Sequence, residues 1–413
     1  MVGFLAFDDV MTQDRSPGST PALATRRRGQ VASVHQDAPS GRSSRTSSGS
    51  GCAPSSWVRR PDLISEVMCM LAIPTFSTFE DAYLAVLRHV GGQTEFVNAP
   101  RGNASRECLN ISLRLDDPLE RIPYLRARKV NIIFHYAEAL WYLWGRDDVE
   151  MISYYAPQMR SYSADGHTLR GSAYGHRLFA VPGDGEVSRF DRLLTLLRGE
   201  DATKRAVSVA FDESELDIPH NIDVSCMIAL QFLIRDGVLH LICYMRANDA
   251  DQGLLSDVFS FTLLQEFTAN LLGVGVGTYA HHVGSMHIGD RDAGRVERVL
   301  VEASTLGPGR VRFPSARMPA TSWADLAVLA AYEEALRRDR DRIIPAKVDE
   351  TGLAPYWQQV LLLFEVQRQI VHQPGRLLDR AVLGALHPRY QWLLSHRWPE
   401  RMPAPLATSR SSA

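Results

Sequence analysis

Cys226 opens the stretch of this chain whose residue types and spacing could do chemistry: Cys226-Met-Ile-Ala-Leu-Gln-Phe-Leu-Ile-Arg-Asp-Gly-Val-Leu-His-Leu-Ile-Cys-Tyr-Met-Arg246-Ala247-Asn-Asp249-Ala-Asp-Gln-Gly253-Leu-Leu-Ser-Asp257. It sets a thiol, a guanidinium and two carboxylates at the ends of rigid elements, where a nucleophile and its charged partners can be held in register. Taken alone, a cysteine at a strand start is more often a small buried hydrophobe, and Cys243 has less claim still. Glu138 is sharper, because it interrupts the apolar run Asn131-Ile-Ile-Phe-His-Tyr-Ala-Glu-Ala-Leu-Trp-Tyr-Leu-Trp. His135, Glu138 and Tyr142 follow one another at steps of three and four and share a helix face. A carboxylate there needs either a polar pocket or a structural partner. His281-His282 and His287 gather no further ligand type, so they read as hydrogen-bonding histidines and no metal site is expected.

The elements that must hold these groups are legible from periodicity. Residues 77–91 carry helical spacing, 108–115 alternate like a strand, and 130–144 are helical up to Gly145. A short strand is expected at 207–211. Residues 226–234 and 238–245 form a hairpin around Asp236-Gly237. Asp257 reads as the N-cap of a helix carrying Val258, Phe261, Leu264, Phe267 and Leu271 and closing at Gly273. Gly273-Val-Gly-Val-Gly277 follows a helix rather than a strand, so it is a helix C-cap and turn and not a dinucleotide fingerprint. The pattern predicts an α+β fold, a mixed sheet with long helices on one side.

Residues 1–67 are rich in Ser, Arg, Gly, Thr and Pro and bury too little apolar surface to order; they are expected to be a disordered extension, the Arg26-Arg27-Arg28 cluster included. Met68 and Met70 stand just before the first patterned segment. A folded block covers 68–300, a mostly helical part of the same domain covers 301–400, with helices at 323–338 and 356–371, and 401–413 is a frayed tail. Lys+Arg total 45 against Asp+Glu 47, a formal charge of -2, so no global field selects nucleic acid or an anionic membrane. The five cysteines show no metal spacing, and an odd count argues against a disulfide framework, so a reducing cytoplasmic setting is expected. No apolar run reaches the roughly 18 residues of a membrane span.

Taken together, the motifs of 101–291 resemble thymidylate synthase and its relatives, the pyrimidine nucleotide hydroxymethylases. Glu138-Ala-Leu-Trp-Tyr-Leu-Trp-Gly is similar to the family's glutamate helix. Met159-Arg160-Ser-Tyr-Ser-Ala-Asp-Gly and Ser172-Ala-Tyr174-Gly175 resemble the approach to its Tyr-Gly. Lys204-Arg205 fall where the family has paired arginines. Cys226, Gln231-Phe232, Asp236-Gly237, Tyr244-x-Arg246, Asp249 and Gly253 then follow its nucleophile strand, hairpin and folate loop, and His287 fits its ribose-binding histidine. Each motif alone is weak; their joint order carries the resemblance.

The resemblance implies a thymidylate-synthase-like sheet whose free face packs in a homodimer, and a thiolate of Cys226 that adds to C6 of a pyrimidine. That addition makes C5 a nucleophile toward the methylene carbon of 5,10-methylenetetrahydrofolate, splitting one hard step into two. Arg246 would lower the thiol's pKa and hold phosphate. Arg101, with Arg106 as second choice, and Lys204 with Arg205 from across the dimer would complete the phosphate site, where Lys204 gives up an arginine's fork. Tyr174, Ala247 and His287 would line the nucleotide, Asp249 and Gly253 the folate. Glu138 would order water and move protons.

Departures bear on the substrate. Asp257 stands where the synthases read uracil with asparagine. Cytosine offers an N4 donor and an N3 acceptor, a pattern met by a carboxyl that accepts at one oxygen and, protonated, donates from the other. Ala247 replaces the family's usual serine and Gly289 its usual ribose-contacting tyrosine, leaving room for a ribose 2′-hydroxyl. The expected reaction turns CMP, methylenetetrahydrofolate and water into 5-hydroxymethyl-CMP and tetrahydrofolate. A dCMP hydroxymethylase, a UMP or dUMP methylase, and a nucleotide- or RNA-binding scaffold without turnover are the other readings. A cysteine hydrolase is remote, since no motif supplies an oxyanion hole.

Overall fold

The computed structural model describes residues 72–404, apart from 182, 184–185 and 307–310. The extension 1–67, Met68 and Met70, and residues 405–413 lie outside the described residues. Order runs past the expected start of the tail, because the buried Arg401 guanidinium donates to the carbonyls of Gln369 (2.9 Å) and Gln373 (3.0 Å).

Seven strands, β1 (Thr75–Phe76), β2 (Phe96–Asn98), β3 (Ser105–Leu115), β4 (Val207–Val209), β5 (Met227–Arg235), β6 (Val238–Asp249) and β7 (Gly275–Gly289), form one sheet in the order β1-β3-β7-β6-β5-β4, with β2 on β3. The β1–β3 and β6–β7 pairs are parallel and the rest antiparallel, so the sheet is mixed, as the sequence predicts. The β5–β6 turn places Asp236 at φ 52° and Gly237 at φ 74°, the two left-handed positions that an Asp-Gly hairpin supplies. The helices are α1 (Phe79–Gly92), α2 (Ile132–Leu143), α3 (Val149–Tyr155), α4 (Tyr174–Phe179), α5 (Arg189–Gly199), α6 (Gly253–Leu272), α7 (Ala293–Leu306), α8 (Trp323–Arg337), α9 (Pro355–His372), α10 (Arg380–Ala385) and α11 (Pro388–Arg397).

Alternation along β6 defines the two faces of the sheet. Leu239, Leu241, Cys243 and Met245 are buried beneath α6, while Val238, His240, Ile242 and Tyr244 are half-buried on the other face. That other face also carries Arg114, Ser112 and His282, the last hydrogen-bonded to Ser112 (2.9 Å) and stacked on Tyr244. Near the functional end the buried positions shift from 245 to 248 on β6 and from 283 to 286 on β7. The pleat changes phase there, and Asn248 turns into the core.

Two sequence expectations need correcting. Asp257 is not an N-cap: α6 starts at Gly253, and the turn before it is held by Asp249, whose carboxylate accepts from the amides of Asp251 (2.9 Å) and Gln252 (2.7 Å). Asp257 therefore sits one turn inside the helix. Gly273 does close α6 in the left-handed conformation (φ 69°), but Gly275 and Gly277 belong to β7 and not to a turn.

Helices α8 to α11 belong to the same compact unit as the sheet. The Tyr136 hydroxyl of α2 meets those of Tyr390 (2.8 Å) and Tyr356 (3.3 Å), and Trp144 donates to Leu326 O (3.0 Å). Beneath α6 a buried ion pair, Arg121 with Glu266 at 2.5 Å and each 4% exposed, also receives the amide of Met318 (2.6 Å). Removing one partner strands a charge in the core, so Glu266→Ala is expected to lose about 3–5 kcal/mol of unfolding free energy. Urea denaturation read by tryptophan fluorescence measures this; a midpoint equal to that of the unaltered chain would contradict the pairing.

Candidate active site

Cys226 lies immediately before β5, 4% exposed, on a loop fixed from two sides. From β6, Arg246 donates through Nε to Ser225 O (2.8 Å) and through Nη2 to Val224 O (2.9 Å), and its amide donates to Cys226 O (2.8 Å). From the other side the buried Glu215 carboxylate accepts from Ser225 N (2.8 Å) and pairs with Arg177. The thiol is thus clamped before any ligand contributes, and the exposed side chain of Arg246 stands beside it.

The second wall is tied to the first through Asp223. Its carboxylate accepts from the amides of Arg170 (2.8 Å), Gly171 (2.9 Å) and Ser172 (2.9 Å) and from the Ser172 hydroxyl (2.6 Å). That loop delivers Tyr174, whose ring lies 5.5 Å from Tyr142 and 5.9 Å from Phe261. Gly175 follows because α4 and α2 touch backbone to backbone: a Cβ there would come within 2.1 Å of Tyr142 Cα.

Glu138 and Asp257 meet where α2 and α6 pack together. Ser260 donates to Glu138 (3.3 Å), and one turn earlier Ser256 bonds His135 (3.2 Å). Burial holds the Glu138 carboxyl well above the usual range, the neighbouring Asp257 adds to this, and Ser260 and Tyr142 oppose it. Burial also pushes Asp257 up from 3.8 to about 6, against a hydrogen bond from Asn248. The Tyr174 hydroxyl is raised by burial and then by Cys226, Asp257, Asp223 and Glu138. Tyr174 therefore lies within electrostatic reach of Cys226 on one side and of Glu138 and Asp257, two carboxyls that burial holds toward the neutral form, on the other, an arrangement suited to nucleophilic addition with proton transfer. His135 belongs to the core. Burial pushes it down to about 3, and it packs against Phe259.

At the open end, Arg101, Asp249, His287 and Gly289 line a cleft of about 320 Å³. Arg101 occupies a turn at φ 55° and reaches Ile222 O (3.5 Å). Arg106 instead lies 3.9 Å from Asp290. Ala247 is half-buried opposite Ser285 of β7, and a Cβ at Gly289 would find nothing nearer than Asp292 at 3.5 Å, so neither position is crowded. Gly253 abuts Asn248, where a Cβ would fall 2.6 Å from Oδ1. Lys204 and Arg205 are not brought to this group within the chain. Both are exposed just before β4, Arg205 bonded to Glu200 (2.6 Å).

Sequence reasoning missed two parts. Glu215 and Asp223 act on backbone amides, which no residue pattern announces. The other is a basic cleft of about 760 Å³ between α2, α6, α7 and α11, with Arg126, Arg128, Lys129, Arg295, Arg298 and Arg397 on its walls and Ser256 and His135 at its floor. Only the Arg126-Ala-Arg-Lys129 run hinted at it. Among the described residues no group of His, Cys, Asp and Glu is placed to hold a metal, and no helix is long and apolar enough to cross a membrane.

A thiol clamped at the head of β5, in the neighbourhood of buried carboxyls, is the geometry against which the comparisons are set. The thymidylate synthase profile matches residues 81–328, and the chain belongs to the thymidylate synthase family. It is 31% identical over 201 residues to the deoxyuridylate hydroxymethyltransferase of Bacillus phage SP01, covering 46% of this chain and 52% of the relative. It is 35% identical over 135 residues to a putative thymidylate synthase of Methanocaldococcus jannaschii (31% and 60%), and 31% identical over 176 residues to the deoxyuridylate hydroxymethyltransferase of Pseudomonas phage M6 (41% and 48%). The chain spans about half the length of the curated relatives it matches.

The raised Asp257 has a consequence for stability. The folded state holds its proton more tightly than the unfolded chain does, so stability falls as pH rises between about 4 and about 6, and is level above that on this group's account. Asp257→Asn is expected to flatten this part of the profile, measured as unfolding midpoints across that range. An unchanged slope would contradict the burial of the ionisable group.

Proposed function

We propose that this protein hydroxymethylates a cytidine nucleotide, turning CMP, 5,10-methylenetetrahydrofolate and water into 5-hydroxymethyl-CMP and tetrahydrofolate. The observation that carries this reading is Asp257, a wholly buried carboxyl near the boundary between its two protonation states, in the neighbourhood of Cys226. When protonated it donates to N3 of cytosine while its other oxygen accepts from the N4 amino group. As Cys226 Sγ bonds to C6, the ring π electrons move through C5 and C4 onto N3, and Asp257 gives N3 its proton; the charge is neutralised where it develops. Glu138 takes the C5 proton and orders water. Arg246 and Arg101 hold the phosphate, His287 and Tyr174 orient the nucleoside, and Ala247 and Gly289 leave room for the 2′-hydroxyl.

The cosubstrate supplies the one-carbon unit. The residues present fit it: Asp249 borders the nucleotide cleft, Gly253 opens the helix that follows it, and the six cations of the neighbouring basic cleft suit the carboxylates of its glutamate end. The half-buried face of the sheet, with Ile242, Tyr244 and His282, is the surface we assign to a homodimer, through which Lys204 and Arg205 reach the partner's phosphate site. Among hydroxymethylases the pattern resembles the CMP enzyme of mildiomycin-type nucleoside antibiotic biosynthesis, and such a pathway in the cytoplasm is the proposed setting. The names of the phage relatives favour a second reading, a uracil deoxynucleotide as acceptor.

Incubating the protein and methylenetetrahydrofolate separately with CMP, dCMP, UMP and dUMP distinguishes these by product mass. Gain of CH2O on CMP is expected, and none with Cys226→Ala. Asp257→Asn is expected to lower kcat/KM for CMP about 100-fold or more and to favour uracil nucleotides. CH2O on dUMP alone supports the second reading, and CH2 on a uracil nucleotide a methylase.

A further inference from the structure

Between α2 and α6 runs a polar seam of which the mechanism above uses only the inner end. Every residue of α2 is buried, as is α6 from Gly253 to Ala269. Polar side chains in such faces are costly unless they are hydrogen-bonded. Gln252 before α6 and Ser256 and Ser260 within it follow one another at steps of four; Asn131 before α2 and His135 and Glu138 within it follow at steps of four and three. Two of these pairs bond from helix to helix: Ser256 Oγ lies 3.2 Å from His135 Nδ1, and Ser260 donates to Glu138 at 3.3 Å. The outer end meets the basic cleft, whose lining includes Gln252, Asn131, Ser256 and His135. Ser256 and His135 are only 2% and 4% exposed, so whatever they hold at the cleft floor is cut off from bulk solvent.

One turn of helix, roughly 5 Å of rise, separates the Ser256–His135 pair from Glu138. Whichever of the two donates in the bond between Ser256 Oγ and His135 Nδ1, the serine oxygen keeps a lone pair that accepts from water. Burial, and then Arg128, push His135 down to about 3, so the ring stays neutral and sets no charge beside Glu138. A buried water takes about three hydrogen bonds, and Ser256, His135 and Glu138 offer them within that one turn. Transfer of the one-carbon unit needs no such site. It is needed afterwards, when a single water must reach the carbon.

We propose that Ser256, backed by His135, is a positioning residue that holds the water which adds to the one-carbon unit, and so decides that the product is an alcohol. This rests on the hydroxymethylase reading above and applies to either base. After transfer the carbon stands as an exocyclic methylene on C5, with Cys226 still bonded to C6. The water oxygen bonds to that carbon while the exocyclic double-bond pair moves into the ring toward N3, and one water proton passes to Glu138. The C5 proton that Glu138 took earlier has by then gone to the departing amine nitrogen, so the carboxylate is ready to accept. The pair returns to form the C5–C6 double bond as the Sγ–C6 bond breaks. No oxidant or reductant is needed, whereas a methyl product would consume a hydride.

Competition between water and an added thiol tests this in the full-length protein. β-Mercaptoethanol adds to the same carbon without help from the seam, its adduct and the hydroxymethyl product separate by mass, and release of tritium from C5 counts the transfers. In Ser256→Ala and in His135→Phe the ratio of thiol adduct to alcohol is expected to rise about tenfold, the loss of one hydrogen bond to the attacking water, with tritium release within about threefold of the unaltered protein. A ratio unchanged in both variants, however slow their turnover, means a structural role alone and overturns the proposal. So does a methyl product from the unaltered protein. The ratio is read on whichever of CMP, dCMP, UMP and dUMP accepts the carbon, and transfer to none of them overturns both readings. A shifted ratio on dUMP with CMP left unmodified defeats the cytosine reading and leaves the seam standing.

Discussion

The enclosure of two carboxyl groups between α2 and α6 is the constraint on which the rest of this structure depends. Glu138 and Asp257 lie where water cannot solvate their charge, so each is driven toward its neutral form, and Asp257 adds to the cost of ionising Glu138. The packing around them follows from that. Ser256 and Ser260 fall one turn apart on α6 to meet His135 and Glu138, and Asn248 is turned inward by the phase change in β6 to face Asp257. The thiol is held on a separate loop fixed by Arg246 and Glu215, close enough to act on the ionisation of Tyr174. Cys226 and the two carboxyls are held by separate elements, and Asp223 ties the Cys226 loop to the one that delivers Tyr174.

What the sequence made legible is what depends on local geometry. The Asp-Gly hairpin, the Gly273 helix end and the apolar spacing of α1, α2, α8 and α9 are set by backbone conformation and helical period, and each appears where expected. The reading of Asp257 as a cap failed for a specific reason. An aspartate before an apolar run satisfies the local rule, but Asp249, eight residues earlier, already supplies the carboxylate that the amides of Asp251 and Gln252 need. An acid that looks like punctuation was instead a core residue.

What was not legible is what assembles across distant segments. Glu215 and Asp223 find backbone donors on other loops, so their residue types say nothing of their roles. The basic cleft draws its cations from the loop before α2, from α7 and from the end of α11. Arg397 there lies beyond the segment that matches the family, over the Trp398 ring and beside Arg128 and Arg295, which lower its hold on the proton after burial has done so. The sequence marks 301–400 only as mostly helical; packing reveals α11 and which cleft it closes.

The tyrosine cluster under α2 has a consequence for how the chain is made. Tyr136 is synthesised early, but Tyr356 and Tyr390, which receive its hydroxyl, leave the ribosome more than two hundred residues later. At about 5–20 residues per second, that is an interval of some tens of seconds. Through it the helix bearing Glu138 has one flank uncovered, and a polar group without a lasting partner in an otherwise apolar surface. The helix bearing Glu138 is completed by segments translated much later, so a product truncated before them would carry Cys226 without the packing that orders Glu138 and Asp257.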